Sequence, residues 1–531
     1  MSRRVVSRRK FLRLSGLATG AAVVAGRGVE PAVSATPSSS ATPRLAAAAQ
    51  APAVKKDRVI VKFSLEGEPR NLNYLSSVDN YTDLGVGMVV ADPLLEFATG
   101  EEFKVIPALA TSWKWVDNKT FDFSLRKGVK FASGKPLTME DVKYSLEYVL
   151  DEKNGSRWRS ALLPVQEIKI KDDYNGTLIL KAPYAPLDLY ALQSPRIAPK
   201  GIGDGLLTNP DGTGPFKLKE WVKGQSLVYV KNENYWVKDR PAADELHMVV
   251  QTEYQTRLSS LRSKQIDFVF DVAPLDIPML EKVPGLRVTR VPLANSFLIV
   301  LNTKRPPFDD VNVRQAVRYA IDKKLMADTG QGGFGKSTIA NMPIESDFYP
   351  RQLEYERSVQ KAKEYLSRAG RPNGFEAEFL VMIHPRVTPL GDAAAFGLKE
   401  VGINFKIVRL EAAQFMTRLL VNKDYQAAIT GEFTSIDPDA FHYRYFHSKG
   451  SSNVAGYANP EVDKLLDDAR SITDTAKRKA MYNQMYEQVY LKDVPVVSTI
   501  QAVRTFAMSA DLKGVGFHPL WRWDFSTITR G

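Results

Sequence analysis

The sequence predicts an α/β chain with mixed sheets, and three observations carry that prediction. Short β-branched and aromatic runs alternate with amphipathic helical runs from Asp57 onward. The helical runs begin and end on readable capping residues. No internal repeat or low-complexity segment interrupts the alternation, and the roughly 475 residues beyond the leader suffice for two or three domains with their own cores.

The strand-like runs, in order, are "RVIVKF" (58–63), "TFDFSL" (120–125), "GTLILKA" (176–182), "SLVYVK" (226–231), "FEAEFLVMI" (375–383) and "NFKIVRL" (404–410), each bounded by Gly, Asn, Asp or Lys. "FSLRKGVKFASG" (123–134) reads as the end of one strand with Phe123 and Leu125 alternating, a turn at Gly128, a second short strand, and a turn at Ser133-Gly134. The first clear helix follows, with Thr138 as N-cap, Asp141 three residues on, and Val142, Leu146, Val149 and Leu150 on one face. "DVNVRQAVRYAIDKKLM" (310–326) places Val313, Val317, Ala320, Ile321 and Leu325 at helical spacing, behind Asp309 and Asp310, where carboxylates favour a helix N-terminus. A further helix runs from Ser358 through Val359, Ala362, Leu366 and Ala369 to Gly370. The last has Asn459 as cap, Pro460 in the first turn, and Val462, Leu465, Leu466 and Ala469 inward.

The N-terminus reads as an export signal. "SRRKFLRL" (Ser7 to Leu14) sets a twin arginine ahead of the short apolar run "SGLATGAAVVAG". That run is well under the roughly 20 residues a membrane span needs, so no stable membrane anchor is expected. Residues 1–35 are read as the signal peptide and 36–56 as an Ala/Pro/Ser-rich flexible leader. The expectation is a periplasmic protein exported by the twin-arginine route. The formal charge of +12 does not imply a nucleic-acid partner, because seven Lys/Arg against one Glu fall within residues 1–35 and no basic run with interleaved aromatics follows. The chain has no cysteine, which removes disulfides, thiolate metal sites and a lipidated cysteine.

"TGQGGFGKST" (329–338) spells a phosphate-binding loop, with Gly330, Gly335, Lys336 and Ser337 in register. Its context argues against that function. A phosphate loop joins a buried strand to a helix whose N-terminus meets the anion. Here a helix precedes the loop, and "TIANMPIESDFYP" after it, with Pro343 and Pro350, gives no room for a helix. A glycine-rich connection with a solvated Lys336 is expected.

Several ordered blocks resemble the extracytoplasmic solute-binding proteins of ABC importers, in particular the dipeptide- and oligopeptide-binding family. They include Pro107 to Leu150 ("PALATSWKWVDNKTFDFSLRKGVKFASGKPLTMEDVKYSLEYVL"), Gly212 to Trp236 ("GTGPFKLKEWVKGQSLVYVKNENYW") and Leu301 to Met326 ("LNTKRPPFDDVNVRQAVRYAIDKKLM"). "YERSVQKAKEYLSRAG", "LKEVGINFKI", "DPDAFHYRYFHS" and "YANPEVDKLLDDAR" follow in the same order. The resemblance implies a two-lobed periplasmic-binding-protein fold with mixed sheets, a hinge and an extra inserted domain. Lobe 1 is expected from residues 57–84, 214–290 and 500–531, the inserted domain from 85–213, and lobe 2 from 291–499. It implies a receptor, not an enzyme, monomeric and without a cofactor, that closes on a small-molecule ligand and serves ABC permease subunits. Peptide or an opine-like conjugate is the leading ligand; an oligosaccharide or a metal chelate is the alternative within the class, and an exported enzyme the alternative outside it.

The same resemblance points to candidate ligand-binding residues. Peptide binders of the family receive the ligand's α-amino group on an acidic side chain near the Asp-Pro pair. In "GEFTSIDPDAF" Thr434 stands at the dipeptide binders' spacing, so either Asp437 or Asp439 takes the amine or the ligand presents none. Arg386 in "IHPRVTP" is the candidate for a ligand carboxylate. Tyr81, Asn453, Tyr457, Trp521 and Trp523 lie in segments expected near the cleft, where aromatics supply apolar walls. Each of these has a plain structural alternative: a helix cap for Asp437, a surface position for Arg386, the core for the aromatics. The five histidines (His247, His384, His442, His447, His518) lack the spacing of a metal cage, and no nucleophile arrangement stands out.

Overall fold

The computed structural model describes residues 58–98, 104–189 and 191–531. The twin-arginine segment and the leader lie outside the described residues.

One mixed sheet of 11 strands runs through most of the chain. At its middle, two long strands, Leu286–Leu301 and Val496–Ser509, pair antiparallel from Leu286↔Ser509 to Val300↔Val496. On one side of this pair lie the strands Phe268–Val269, Ile60–Leu65, Glu245–Val250, Ser226–Lys231 and Phe216–Val222; on the other lie Ala427–Phe433, Phe375–Met382 and Ile403–Leu410. The sheet thereby divides into two lobes joined by strands that belong to both. The ladder between the long strands slips between Pro292 and Ser296 and again before Leu298. Proline has no N–H to give a ladder, so a break is natural there. Beyond it, Leu293 to Leu301 are buried on both faces, as a central strand covered on each side must be.

A separate antiparallel sheet of Ala110–Trp115, Thr120–Leu125, Asn175–Leu180 and Val165–Ile170 carries the helix Met139–Leu150. This inserted unit has its own core, in which Phe121, Phe123 and Leu125 meet Val142, Leu146 and Val149 of the helix. The expected cap is present: the Thr138 N–H donates to the Asp141 carboxylate at 2.9 Å. The second short strand expected after Gly128 does not form; only an isolated bridge between Lys130 and Pro136 is found, because the chain turns again at Gly134.

The helical run after Asp310 differs from its expected form. It is two helices, Val311–Ala320 and Lys323–Gly330, broken at Ile321, whose ψ of 130° is extended. Asp322 caps the second by accepting from the Leu325 N–H at 2.9 Å. The helices Val359–Arg368 and Pro460–Ser471 form as expected, capped by Ser358 and Asn459. The glycine-rich loop leaves a helix, turns through Gly332 and Gly333 at φ +58° and +81°, and becomes a two-residue strand, Lys336–Ser337, on the long strand Val496–Ser509. Lys336 Nζ sits 3.3 Å from Glu345. No helix follows the loop, so the strand–loop–helix cradle of a nucleotide site is not built. Among the described residues no helix is long and apolar enough to cross a membrane.

Candidate ligand-binding cleft

Where the two lobes and the inserted unit meet, a cleft of about 460 Å³ opens. The helical turn after Asp79 contributes Asn80 and Asp83, and the inserted unit contributes Arg157, Trp158 and Ser194. From the far lobe come Arg386, in the loop after the strand Phe375–Met382, and Phe433, Thr434 and Ser435 at the end of Ala427–Phe433. Arg504 projects from a long central strand, and Leu520 to Arg522 close the wall from the C-terminal segment. A smaller chamber of about 120 Å³ shares Asn80, Arg504 and Trp521 and adds Glu66, Tyr81 and Phe270.

Four guanidinium groups dominate the wall. Arg504 donates to both oxygens of Asp271, at 3.0 and 2.9 Å, and its guanidinium carbon lies 3.4 Å from the ring centroid of Trp521. Burial pushes the Arg504 pKa down to about 10 against the pull of Asp271. Arg386 reaches the same carboxylate across the cleft at 3.2 Å. Arg522 donates to Ser194 Oγ at 2.7 Å and lies 3.4 Å from Asp83, and burial lowers its pKa as well. Arg157 donates to the Asn80 side-chain oxygen at 2.8 Å. In the small chamber, burial and then the nearby Asp271 raise the Glu66 pKa, with Arg257 at 3.6 Å opposing.

Two backbone conformations hold this arrangement. Trp521 and Asp271 both sit in the left-handed region, at φ +64° and +60°. For a residue with a Cβ, and an aromatic one above all, that costs on the order of 1 kcal/mol or more, and such strain concentrates at functional sites. The Trp521 N–H donates to the His518 carbonyl at 2.9 Å, which fixes the turn.

Polar atoms are left over in this cleft. Among the described residues, Arg386 Nε, Arg522 Nε, Trp158 Nε1, Thr434 Oγ1 and Asp83 Oδ1 are buried without a hydrogen-bond partner, and all five belong to its wall. Buried polar groups are ordinarily paired, so these five atoms have hydrogen-bonding capacity free for water or a polar guest.

Of the nine candidate residues, Arg386, Thr434 and Trp521 meet at the cleft and Tyr81 lines the adjoining chamber. The others stand elsewhere. Asp437 spends both oxygens on Arg478, at 2.7 and 2.9 Å, inside one lobe. Asp439 does the same with Arg470, at 2.9 Å twice. Neither carboxylate lines the cleft: Asp437 pairs with the buried Arg478 and Asp439 with the half-buried Arg470. Asn453 staples its own loop, bonding the Tyr457 carbonyl at 2.6 Å and N–H at 3.0 Å, while Tyr457 donates to Asp493 at 2.6 Å. Trp523 is a core residue, 4.9 Å from Phe270 and 4.7 Å from Phe517 between ring centroids. Its edge also borders a second cavity of about 350 Å³ that shares Phe97 and Arg522 with the cleft. The residues that sequence reasoning missed are Arg504, Arg522, Arg157, Trp158, Asp83, Asp271 and Glu66. Only Arg522 carried a usable signal, standing between the two tryptophans of "LWRWDF".

Comparison with known proteins agrees with this architecture. A family model described as bacterial extracellular solute-binding proteins, family 5, matches residues 104–453. The oligopeptide-binding protein AppA of Bacillus subtilis is 30% identical over 495 residues, covering 85% of this chain and 88% of that protein. The probable D,D-dipeptide-binding periplasmic protein DdpA of Escherichia coli is 29% identical over 502 residues, covering 90% of this chain and 95% of that protein. Among solved structures, B. subtilis AppA in complex with a nonapeptide superposes with a TM-score of 0.72 at 26% identity, covering 90% of this chain and 100% of that one. The A. tumefaciens binding protein AgaA in complex with agropinic acid gives the same TM-score and identity over 89% of this chain and 99% of its own. The family match spans well over half the chain, these relatives are similar over 85–90% of it, and its mixed α/β fold superposes on both solved structures: the chain belongs to the family 5 bacterial extracellular solute-binding proteins.

Proposed function

We propose that this protein is a periplasmic receptor that captures a peptide or peptide-like solute, opine-type conjugates included, between its lobes and delivers it to the permease of an ABC importer. The observation that carries this reading is the set of five unpartnered buried polar atoms on one cleft wall, drawn from both lobes and the inserted unit. A ligand bound there touches all three parts at once. Contacts available only when the lobes are together shift the population toward the closed form, and the closed form is the one a transporter can distinguish. The division expected from the sequence, with lobe 1 from 57–84, 214–290 and 500–531, the inserted domain from 85–213 and lobe 2 from 291–499, is retained as part of the proposal, as are twin-arginine export and a receptor role without catalysis.

The test is native mass spectrometry of the protein purified without unfolding, followed by release and identification of any bound molecule. A released peptide or amino-acid conjugate supports the reading. Incubation with that molecule then separates receptor from enzyme: an unchanged molecule with a raised melting temperature supports the receptor, and turnover sinks it.

A further inference from the structure

The cleft contains two positive centres that its own carboxylates do not balance. At the first, Arg504 and Arg386 share the single carboxylate of Asp271, at 2.9 and 3.2 Å. At the second, Arg522 faces Asp83 at 3.4 Å, while the neighbouring Arg157 bonds the neutral side chain of Asn80. The first centre is left with one buried cation in excess; at the second Arg522 is paired, the extra cation is the exposed Arg157, and Asp83 Oδ1 is itself without a partner. The other nearby acids are already matched: Glu66 by Arg257 at 3.6 Å and Glu96 by Arg196 at 3.5 Å. Buried donors without partners lie at both centres, Arg386 Nε at the first and Arg522 Nε and Trp158 Nε1 at the second. The two arginines also come from opposite sides of the shared strands, since Arg386 follows the strand Phe375–Met382 and Arg522 belongs to the C-terminal segment packed beside Phe268 and Phe270.

We infer that the solute is a peptide-like dianion, with one acidic group seated at Arg386 and a second, separate one at Arg522, so that its two charges fasten the lobes to each other. The inference rests on the receptor reading above and narrows its ligand class. Carboxylates supply the acceptors that the unpartnered N–H groups lack, through charge-assisted bonds stronger than neutral ones. A neutral apolar solute would leave the buried donors of Arg386, Arg522 and Trp158 unpartnered on closure, at a penalty that offsets part of the gain from shape.

Three probes of one backbone test it: N-succinyl-dialanine with two carboxylates, N-acetyl-dialanine with one, and N-acetyl-dialanine amide with none, titrated calorimetrically at low salt. The expected affinity rises by about tenfold or more with each carboxylate. Arg386→Gln and Arg522→Gln each remove one step, so that the dianion binds either variant no better than the monoanion binds the parent protein. Melting temperatures of the unliganded variants check folding, and if Arg522→Gln does not fold, the partly exposed Arg386→Gln carries the comparison. Equal affinities, a preference for the monoanion or for the neutral amide, or variants that weaken all three probes alike would overturn the dianion inference and leave the receptor reading standing. Binding of none of the probes overturns both.

Discussion

Asp437 and Arg478 form a two-pronged ion pair with both side chains out of contact with solvent, Nη1 at 2.7 Å from one carboxylate oxygen and Nη2 at 2.9 Å from the other. The guanidinium also donates through Nε to the Ala469 carbonyl, and Asp437 accepts the Asp439 N–H, so the pair ties the start of one helix to the packing of two others. Removing one partner strands the other charge in a desolvated site. Asp437→Ala is expected to destabilise the protein by about 3–5 kcal/mol, measured by urea unfolding. Its effect on binding is expected to be the same for free and N-acetylated peptides. A selective loss for free peptides would restore Asp437 as the amine anchor.

Trp521 combines a cleft-lining ring with a left-handed backbone conformation, and the two contributions can be separated. Trp521→Ala loses the stack on Arg504 and keeps the left-handed φ; Trp521→Gly loses the stack and releases the strain. Both are expected to weaken ligand binding by roughly tenfold, whereas the glycine variant is the more stable of the two by about 1 kcal/mol. Differential scanning calorimetry and titration on the pair decide it; an alanine variant as stable as the glycine one would show that the turn carries no strain.

Asp271 competes with any anionic ligand for Arg504 and Arg386. In Asp271→Asn the two guanidiniums lose their shared counterion, so the unliganded protein is expected to lose about 3 kcal/mol of stability. The affinity for N-succinyl-dialanine is expected to rise, because the ligand no longer displaces a carboxylate already in place. A variant that is both less stable and weaker in binding would place Asp271 among the groups that position the ligand.

His442 sets an acid limit on the fold. Its ring is fully buried, with Nδ1 at 2.9 Å from the Pro438 carbonyl and Nε2 at 3.2 Å from the Tyr490 hydroxyl, and burial lowers its pKa to about 3. The unfolded chain protonates this imidazole near its ordinary pKa of about 6.5, while the folded chain resists. The unfolded state therefore binds the extra proton throughout that window, and stability falls as pH drops from about 6.5 toward 3, by on the order of 4 kcal/mol in total. His442→Phe is expected to show a shallower loss over the same range in urea titrations, whatever its stability at neutral pH. Identical slopes would assign the acid sensitivity to other groups.

The features legible in the sequence were those written locally. Thr138 with Asp141, Asn459 with Pro460, and Ser358 through to Gly370 each announce a helix within a few residues, and each helix is present. Period-two strands such as "TFDFSL" were equally plain because one face is wet. The long strand ending "LANSFLIVL" gave no such pattern, since both its faces are covered and a uniform apolar run does not reveal its geometry. The break at Ile321 escaped because Asp322 can continue a helix or cap a new one with the same side chain. At the cleft, Arg386, Thr434 and Trp521 were found through resemblance, but Arg504 and Asp271 were not. They are far apart in sequence, and only the pairing of Phe268–Val269 with the strand Val496–Ser509 brings them to one carboxylate–guanidinium contact. Asp437 misled because a carboxylate beside proline looks the same whether its partner is a ligand amine or a distant Arg478.

The strand Val496–Ser509 also imposes an order of events on biosynthesis. It lies in the middle of the sheet, yet nearly every residue it pairs with is translated before it, including Phe268, Leu286 to Val300 and Lys336. A nascent chain that has not reached this point has an unfilled central lane with strand edges exposed on either side, the surfaces most prone to improper pairing. The inserted unit, whose sheet is complete by Leu180 and whose buried core ends at Ile197, can mature early, whereas the lobes close their shared sheet only at the end of synthesis. Truncation within the strand Val496–Ser509 is therefore a lesion to both lobes at once, although it removes only the tail of the polypeptide.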